Sequence, residues 1–169
     1  MKTLTLLRHG KSSWKEAGMT DRERPLARRG ERDAPMMGER ITEAGIRPSL
    51  IMSSPATRAW ATAKRVARAI SNPLEFLHRE EDLYLADTGR ILGLLAQQDS
   101  AFNNILIVGH NPGLTELANY LVPGITENLP TCGLVAVEIE TDDWDLRAGP
   151  EVRLLLHDYP KNPASTPAR

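Results

Sequence analysis

Apolar positions along the chain alternate between strand-like runs and helical stripes. Thr3 to Leu7 is a short apolar run with the length of a buried strand. Residues 31–45 then place Ala34, Met37, Ile41 and Ala44 on one helical stripe. Pro35 interrupts it, which a helix accommodates in its first turn, where the N–H groups need no helical partner. Leu50-Ile51-Met52 is a second strand, followed by a longer stripe through Ala56, Ala59, Trp60, Ala63, Val66, Ala67 and Ile70. Leu74 to Leu77 reads as a third strand. Ile91, Leu92 and Leu95 mark a helix begun by Thr88. Ile105 to Val108 is the clearest buried strand, and the helix after it carries Leu114, Leu117, Ala118 and Leu121 before Pro123-Gly124 ends it. Two more strands, Leu134 to Ile139 and Val152 to Leu156, are joined through the turn-rich Thr141 to Asp145. This order predicts an α/β fold, a three-layer sandwich with a mainly parallel sheet. Neither a repeat nor a linker divides the chain, so residues 1–159 are expected to form one domain. The tail over 160–169, with Pro160, Pro163 and Pro167, is expected to be flexible.

Composition narrows the function. With 169 residues, 41% apolar and 25% charged, the chain can build its own core. A formal charge of −1 hides an asymmetry: residues 1–68 carry +8 and residues 69–169 carry −9. A basic half can bind nucleic acid, but aromatics are only 5% and no Lys/Arg run has aromatics interleaved, so a smaller anion is the expected partner. No apolar run approaches the roughly 18 residues that span a bilayer. Leu4 to Leu7 is also too short for a signal-peptide core, so a cytoplasmic location with no membrane contact is expected. Cys132 is the lone cysteine, which leaves no internal disulfide. No metal or other cofactor is expected. His78 and Glu81 lack a further ligand, and Asp142, Asp143 and Asp145 lack the glycine and distal glutamate of a calcium loop.

Three strand ends carry unusual residues. The first runs into Arg8-His9-Gly10-Lys11-Ser12, the second into Ser53-Ser54-Pro55-Ala56-Thr57-Arg58, and the fourth into Gly109-His110-Asn111-Pro112-Gly113. In an open parallel sheet these ends share one edge, and ligands bind in the crevice outside it. Arg8, His9, Arg58 and His110 should therefore converge. Ser54-Pro55 and Asn111-Pro112 each read as an N-cap followed by proline at the first helical position, which turns free N–H groups toward that edge. Two arginines supply forked donors that match phosphate oxygens, and two histidines suit proton or phosphoryl handling. Singly, each feature has a structural explanation; together, at successive strand ends, they point to a phosphate pocket. Cys132 does not fit a tyrosine-phosphatase loop, because Glu138 stands where that loop needs arginine.

The motifs in order resemble a known family. Leu7-Arg8-His9-Gly10 is similar to the Arg-His-Gly motif of the histidine phosphatase superfamily, which has the phosphoglycerate-mutase-like fold. Arg8 to Trp14, Asp21 to Arg24 with Pro25-Leu26, Arg29-Gly30, Leu83 to Ala86, Gly109 to Gly113 and Tyr159-Pro160-Lys161 resemble its SixA-type phosphohistidine phosphatases. The resemblance covers roughly residues 2–161. It implies that His9 is the nucleophile and that Arg8, Arg58 and a charged His110 hold the phosphoryl oxygens, with Asn111 and Ser12 as further substrate contacts. It also implies hydrolysis without a metal, through a phosphohistidine on His9. Lys15 departs from mutase-like members, which have asparagine there and gain a phosphate contact from it. Only 51 residues separate Arg58 from His110, too few for the large cap of the bigger members. An open pocket is expected, suited to a phosphohistidine on a partner protein such as a histidine-phosphotransfer domain. The alternatives are a general phosphomonoesterase acting on a small phosphate ester and a non-catalytic phosphate-binding module. Members that cleave alcohol esters use an acidic residue as proton donor; Glu80, Glu81 and Asp82 lie in the corresponding region, and Glu81 is the first candidate.

Overall fold

A computed structural model describes residues 1–163 of the chain. Six strands, β1 (Lys2–Arg8), β2 (Leu50–Ser53), β3 (Leu77–Arg79), β4 (Asn104–Gly109), β5 (Leu134–Ile139) and β6 (Val152–Asp158), form one sheet in the order β3-β2-β4-β1-β5-β6. β3, β2, β4 and β1 run parallel, while β5 and β6 pair antiparallel at one side. Four helices, α1 (Arg28–Glu43), α2 (Thr57–Ala69), α3 (Thr88–Ala96) and α4 (Gly113–Leu121), cover both faces.

The period-two alternation of the strands assigns the two cores. Leu4 and Leu6, Leu50 and Met52, and Ile105 and Ile107 face α3 and α4, where they meet Ile91, Leu95, Leu114 and Leu117. Leu7, Ile51, Leu106 and Val108 face the other way, toward Met37 and Ile41 of α1 and Ala59, Ala63 and Val66 of α2. Both strand faces are buried, which is why the central strands read as unbroken apolar runs. Each fully buried leucine or isoleucine stabilises the fold by about 1.5–3 kcal/mol before entropic costs.

Three local expectations are corrected. α1 begins at Arg28, so Pro35 lies in the helix interior and cannot donate to the Glu31 carbonyl; Glu31 is exposed, so water can satisfy that group. Residues 74–76 form a 3-10 turn and the third strand is only Leu77–Arg79. α2 is capped by Ala56, not Ser54, and α4 by Pro112, not Asn111, so neither proline is the first helical residue. α3 does start at Thr88, but its cap is Asp87, whose side chain accepts from the Arg90 amide at 2.8 Å. Between Arg58 and His110 the chain builds only the rest of α2, β3, α3, β4 and two 3-10 turns, with no inserted cap. The tail is tied down at its start: Arg40 of α1 donates to the carbonyls of Tyr159 (2.8 Å) and Pro160 (3.3 Å). The rest of the tail, 164–169, lies outside the described residues.

Candidate active site

Register alone brings the three strand ends together. Arg8 pairs with Gly109 and Ser53 with Val108, so the next residues, His9, Ser54 and His110, leave neighbouring strands side by side. Backbone bonds continue the ladders by one step, from the His9 amide to the Gly109 carbonyl (3.1 Å) and from the Ser54 amide to the Val108 carbonyl (3.0 Å). The His9 and His110 rings lie 5.0 Å apart, centroid to centroid. Arg58 reaches them from the first turn of α2: its Nε is 3.4 Å from His9 Nε2 and its Nη2 is 3.3 Å from His110 Nδ1. Arg8, from the end of β1, donates through Nη1 to the Leu129 carbonyl at 3.0 Å. Its Nε is buried without a partner, a donor left for a ligand.

The backbone behind His9 is packed closely. A Cβ on Gly10 would lie 2.9 Å from the Gly30 Cα and 3.2 Å from the Cys132 Sγ, so only glycine lets the loop pass. The Cys132 amide donates to the carbonyls of Arg8 (3.0 Å) and His9 (3.1 Å). Burial pushes its thiol up to about 12, so Cys132 is a protonated packing group.

Hydrogen-bond roles settle the ring tautomers. His9 Nδ1 is 2.7 Å from the Gly10 carbonyl, which can only accept, so Nδ1 holds the proton and Nε2 is bare. At His110 the guanidinium beside Nδ1 can only donate, so that nitrogen is bare and Nε2–H donates to Ser54 Oγ at 2.7 Å. Burial, aided by the positive field of Arg58 and Arg8, holds His9 down at about 4 against the Gly10 bond, which favours the charged form. Burial, then His9 and Arg58, push His110 down to about 3. Burial thus holds both rings neutral at pH 7. A buried ring beside guanidinium groups takes up a proton less readily than a free imidazole, and a neighbouring anion would offset this.

The site is less open than the missing cap suggests. His9, Arg58 and His110 are only 7, 5 and 4% exposed, because the loop after β1 folds back over them. A 3-10 turn at Asp21–Glu23 delivers Asp21 to Arg58, whose Nη1 donates to the Asp21 carbonyl (2.6 Å) and whose Nη2 donates to its carboxylate (3.0 Å). Tyr84 donates its hydroxyl to the same Asp21 oxygen at 2.7 Å and sets its ring edge-on to His110.

The remaining sequence candidates fall around this group. Asn111 turns its amide to the Leu129 carbonyl (2.9 Å) and Asn128 (3.1 Å), so it braces the 128–129 loop that also receives Arg8. Ser12 forms an isolated bridge with Leu26. Glu81 is exposed and accepts two bonds from Arg22 Nη2, at 2.6 and 2.8 Å, which hold its carboxyl below the usual range. Ser54, Asp21 and Tyr84 are the site residues that motif reading leaves without a role. The sequence reads Ser54 as a helix cap. The Asp-x-x-Arg-Pro-Leu and Leu-Tyr-Leu-Ala segments marked the loops of the other two, but nothing in their spacing says that they meet. Among the described residues no three His, Cys, Asp or Glu side chains cluster as metal ligands. None of the described helices is long and apolar enough to cross a membrane.

Comparison with known proteins agrees with this arrangement. The sequence model of the histidine phosphatase superfamily (branch 1) matches residues 4–101. An uncharacterized chloroplastic protein of Arabidopsis thaliana is 31% identical over 150 residues, covering 84% of this chain and 68% of that protein. A crystal structure assigned as the phosphohistidine phosphatase SixA of Agrobacterium tumefaciens superposes with a TM-score of 0.80 and 25% identity, covering 94% of this chain and 98% of that one. A protein histidine phosphatase SixA complexed with tungstate has the same fold, with a TM-score of 0.75 and 21% identity over 92% of this chain and 95% of that one. Strand-end chemistry, layer order and family match converge on one assignment: the chain belongs to the histidine phosphatase superfamily, branch 1.

Proposed function

We propose that the chain hydrolyses phosphohistidine on a partner protein, with His9 as the nucleophile. The observation that carries this reading is the bare His9 Nε2, neutral at pH 7 and facing Arg58 with its other nitrogen locked to Gly10. Nε2 attacks phosphorus as the bond from phosphorus to the nitrogen of a substrate ring protonated on its other nitrogen breaks, releasing neutral imidazole and giving phospho-His9; water then attacks phosphorus and releases orthophosphate and neutral His9. Arg8 and Arg58 receive the phosphoryl oxygens. His110 starts neutral and gains a proton once a dianion lies beside it, adding a third donor where charge develops. The two guanidinium groups repel each other across the site, and an anion between them relieves that repulsion. The tungstate held by a related fold is an oxyanion of similar shape.

The choice of phosphohistidine rests on the leaving group. Asp21 beside Arg58 and Glu81 on Arg22 are both held ionised by hydrogen-bond donors. An alcohol ester needs a proton delivered to its leaving oxygen, whereas a phosphohistidine ring protonated on its other nitrogen, a form that an intrinsic pKa of roughly 6.5 makes accessible, leaves as neutral imidazole. No inserted domain stands between Arg58 and His110, which suits a substrate side chain carried on another protein, such as a histidine-phosphotransfer domain. Because the arginines meet the phosphoryl charge, activity is expected to survive exhaustive chelation.

The test is turnover and trapping. Wild type should release phosphate from a phosphohistidine protein faster than from an alkyl phosphate and accumulate an acid-labile, base-stable phosphoenzyme. His9→Ala should lose more than about a hundredfold in rate with its thermal unfolding unchanged. A folded His9→Ala protein that keeps its rate would refute covalent catalysis. Preference for the alkyl ester would favour the general phosphomonoesterase, and lack of any turnover the binding module.

A further inference from the structure

The function proposed above leaves one charged group in the site unexplained. Arg58 has three nitrogens. Its Nε faces His9, its Nη1 is taken by the Asp21 carbonyl, and its Nη2 is shared between His110 and the Asp21 carboxylate. Asp21 thus presents two oxygens to the guanidinium fork, in the way an oxyanion would. The Tyr84 hydroxyl pins the carboxylate from the other side. The turn that carries it is closed by a reciprocal bond pair between Thr20 and Glu23, and Arg22 clasps Glu81. That clasp lies at the surface, its side chains 44 and 69% exposed, so it holds the turn weakly.

We propose that Asp21 is an internal competitor for the phosphoryl group: it occupies Arg58 in the resting chain, yields it to substrate, and returns to expel orthophosphate. The inference rests on the active-site reading above. With His9 and His110 neutral, Arg8, Arg58 and Asp21 give the resting site a net charge of +1, and loss of the carboxylate would make it +2. An incoming phosphoryl dianion meets the Asp21 charge at the same guanidinium, so the two cannot both keep close contact. A general-acid role for Asp21 is disfavoured, because the Tyr84 hydroxyl and then Arg58 hold its carboxyl below the usual carboxylate range. Asp21 is in this reading a positioning residue that acts through Arg58 and sets how long phosphate stays.

The test is calorimetric titration of inorganic phosphate into the full chain, its Asp21→Asn variant, and both of these with Arg58→Ala. Asp21→Asn keeps an acceptor for Arg58 and Tyr84 and removes only the charge. It is expected to bind phosphate about tenfold more tightly. In turnover, kcat and KM should then fall together as product release slows. Tyr84→Phe keeps the charge but frees the carboxylate, and should tighten phosphate by about two- to threefold; it serves also if Asp21→Asn fails to fold. Arg58→Ala should weaken phosphate in both backgrounds and erase the difference between them. Equal or weaker phosphate binding by folded Asp21→Asn, with Arg58→Ala still abolishing it, overturns the competitor and leaves the active site standing. Phosphate binding indifferent to Arg58→Ala overturns both.

Discussion

Ser54 offers the sharpest test of how the site is held. Its Oγ lies 2.7 Å from His110 Nε2 and also accepts from the Ala56 amide at 3.2 Å, and Ser54 is fully buried. Ser54→Ala removes one oxygen and leaves two N–H groups unpaired where water does not reach. Each unpaired buried donor costs about 1–3 kcal/mol. With some relaxation, a loss of about 2 kcal/mol is expected, or roughly 4–8 °C in Tm for a chain of this size. Catalysis should suffer more. When a phosphoryl group draws a second proton onto His110, the bond to Ser54 becomes charge-assisted, worth about 1.5–3 kcal/mol, or roughly 10–150-fold in kcat/KM. The assay is a double-mutant cycle with His110→Ala, with kcat/KM on a phosphohistidine protein and thermal unfolding read in parallel. If Ser54 acts through His110, its effect on rate should vanish in the His110→Ala background. A Ser54→Ala protein that loses Tm but stays within twofold of wild-type kcat/KM would refute the reasoning, as would an equal rate loss with His110 already gone.

Acidification should destabilise the fold well above the carboxylate range. His9 and His110 titrate at about 4 and about 3 when folded and near 6.5 when unfolded, so below pH 6.5 the unfolded chain binds protons that the native one refuses. Stability is therefore complete above pH 6.5 and falls with pH below it; urea unfolding at pH 5 should give about 3 kcal/mol less than at pH 7, and equal values would contradict the neutral buried pair. Gly113→Ala would set a Cβ 1.9 Å from the Ala86 carbonyl oxygen, forcing α4 and the His110 loop apart; about 3 kcal/mol or more should be lost in chemical denaturation, and a neutral result would mean that this contact is not kept in solution. Glu81→Gln should leave phosphohistidine hydrolysis within about tenfold of wild type, since Glu81 is already ionised and tied to Arg22; a larger loss in a folded variant would restore it as the acid.

The sequence by itself determined the layers and the identity of the central side chains. Unbroken apolar runs in β1, β2 and β4, and stripes on α1, α2 and α4, are enough to call for a sheet covered on both faces, because a strand buried on both sides must be apolar on both. Parallel strand ends share an edge, so Arg8, His9, Arg58 and His110 could be grouped although 102 positions separate the outermost two. Helix starts were legible only to within two or three residues, since Ser-Pro and Asn-Pro satisfy turn and cap geometry equally well. Tertiary structure alone decided what surrounds the core chemistry. Whether Ser54 caps a helix or bonds an imidazole depends on β2 lying beside β4, and a serine hydroxyl serves either partner. That Asp21 meets Arg58 and Tyr84, and that Glu81 meets Arg22 instead of the site, depends on how the loop after β1 folds back. Polar side chains in loops follow no period, so their partners are chosen by the packed surfaces around them, and a charge finds its partner in space.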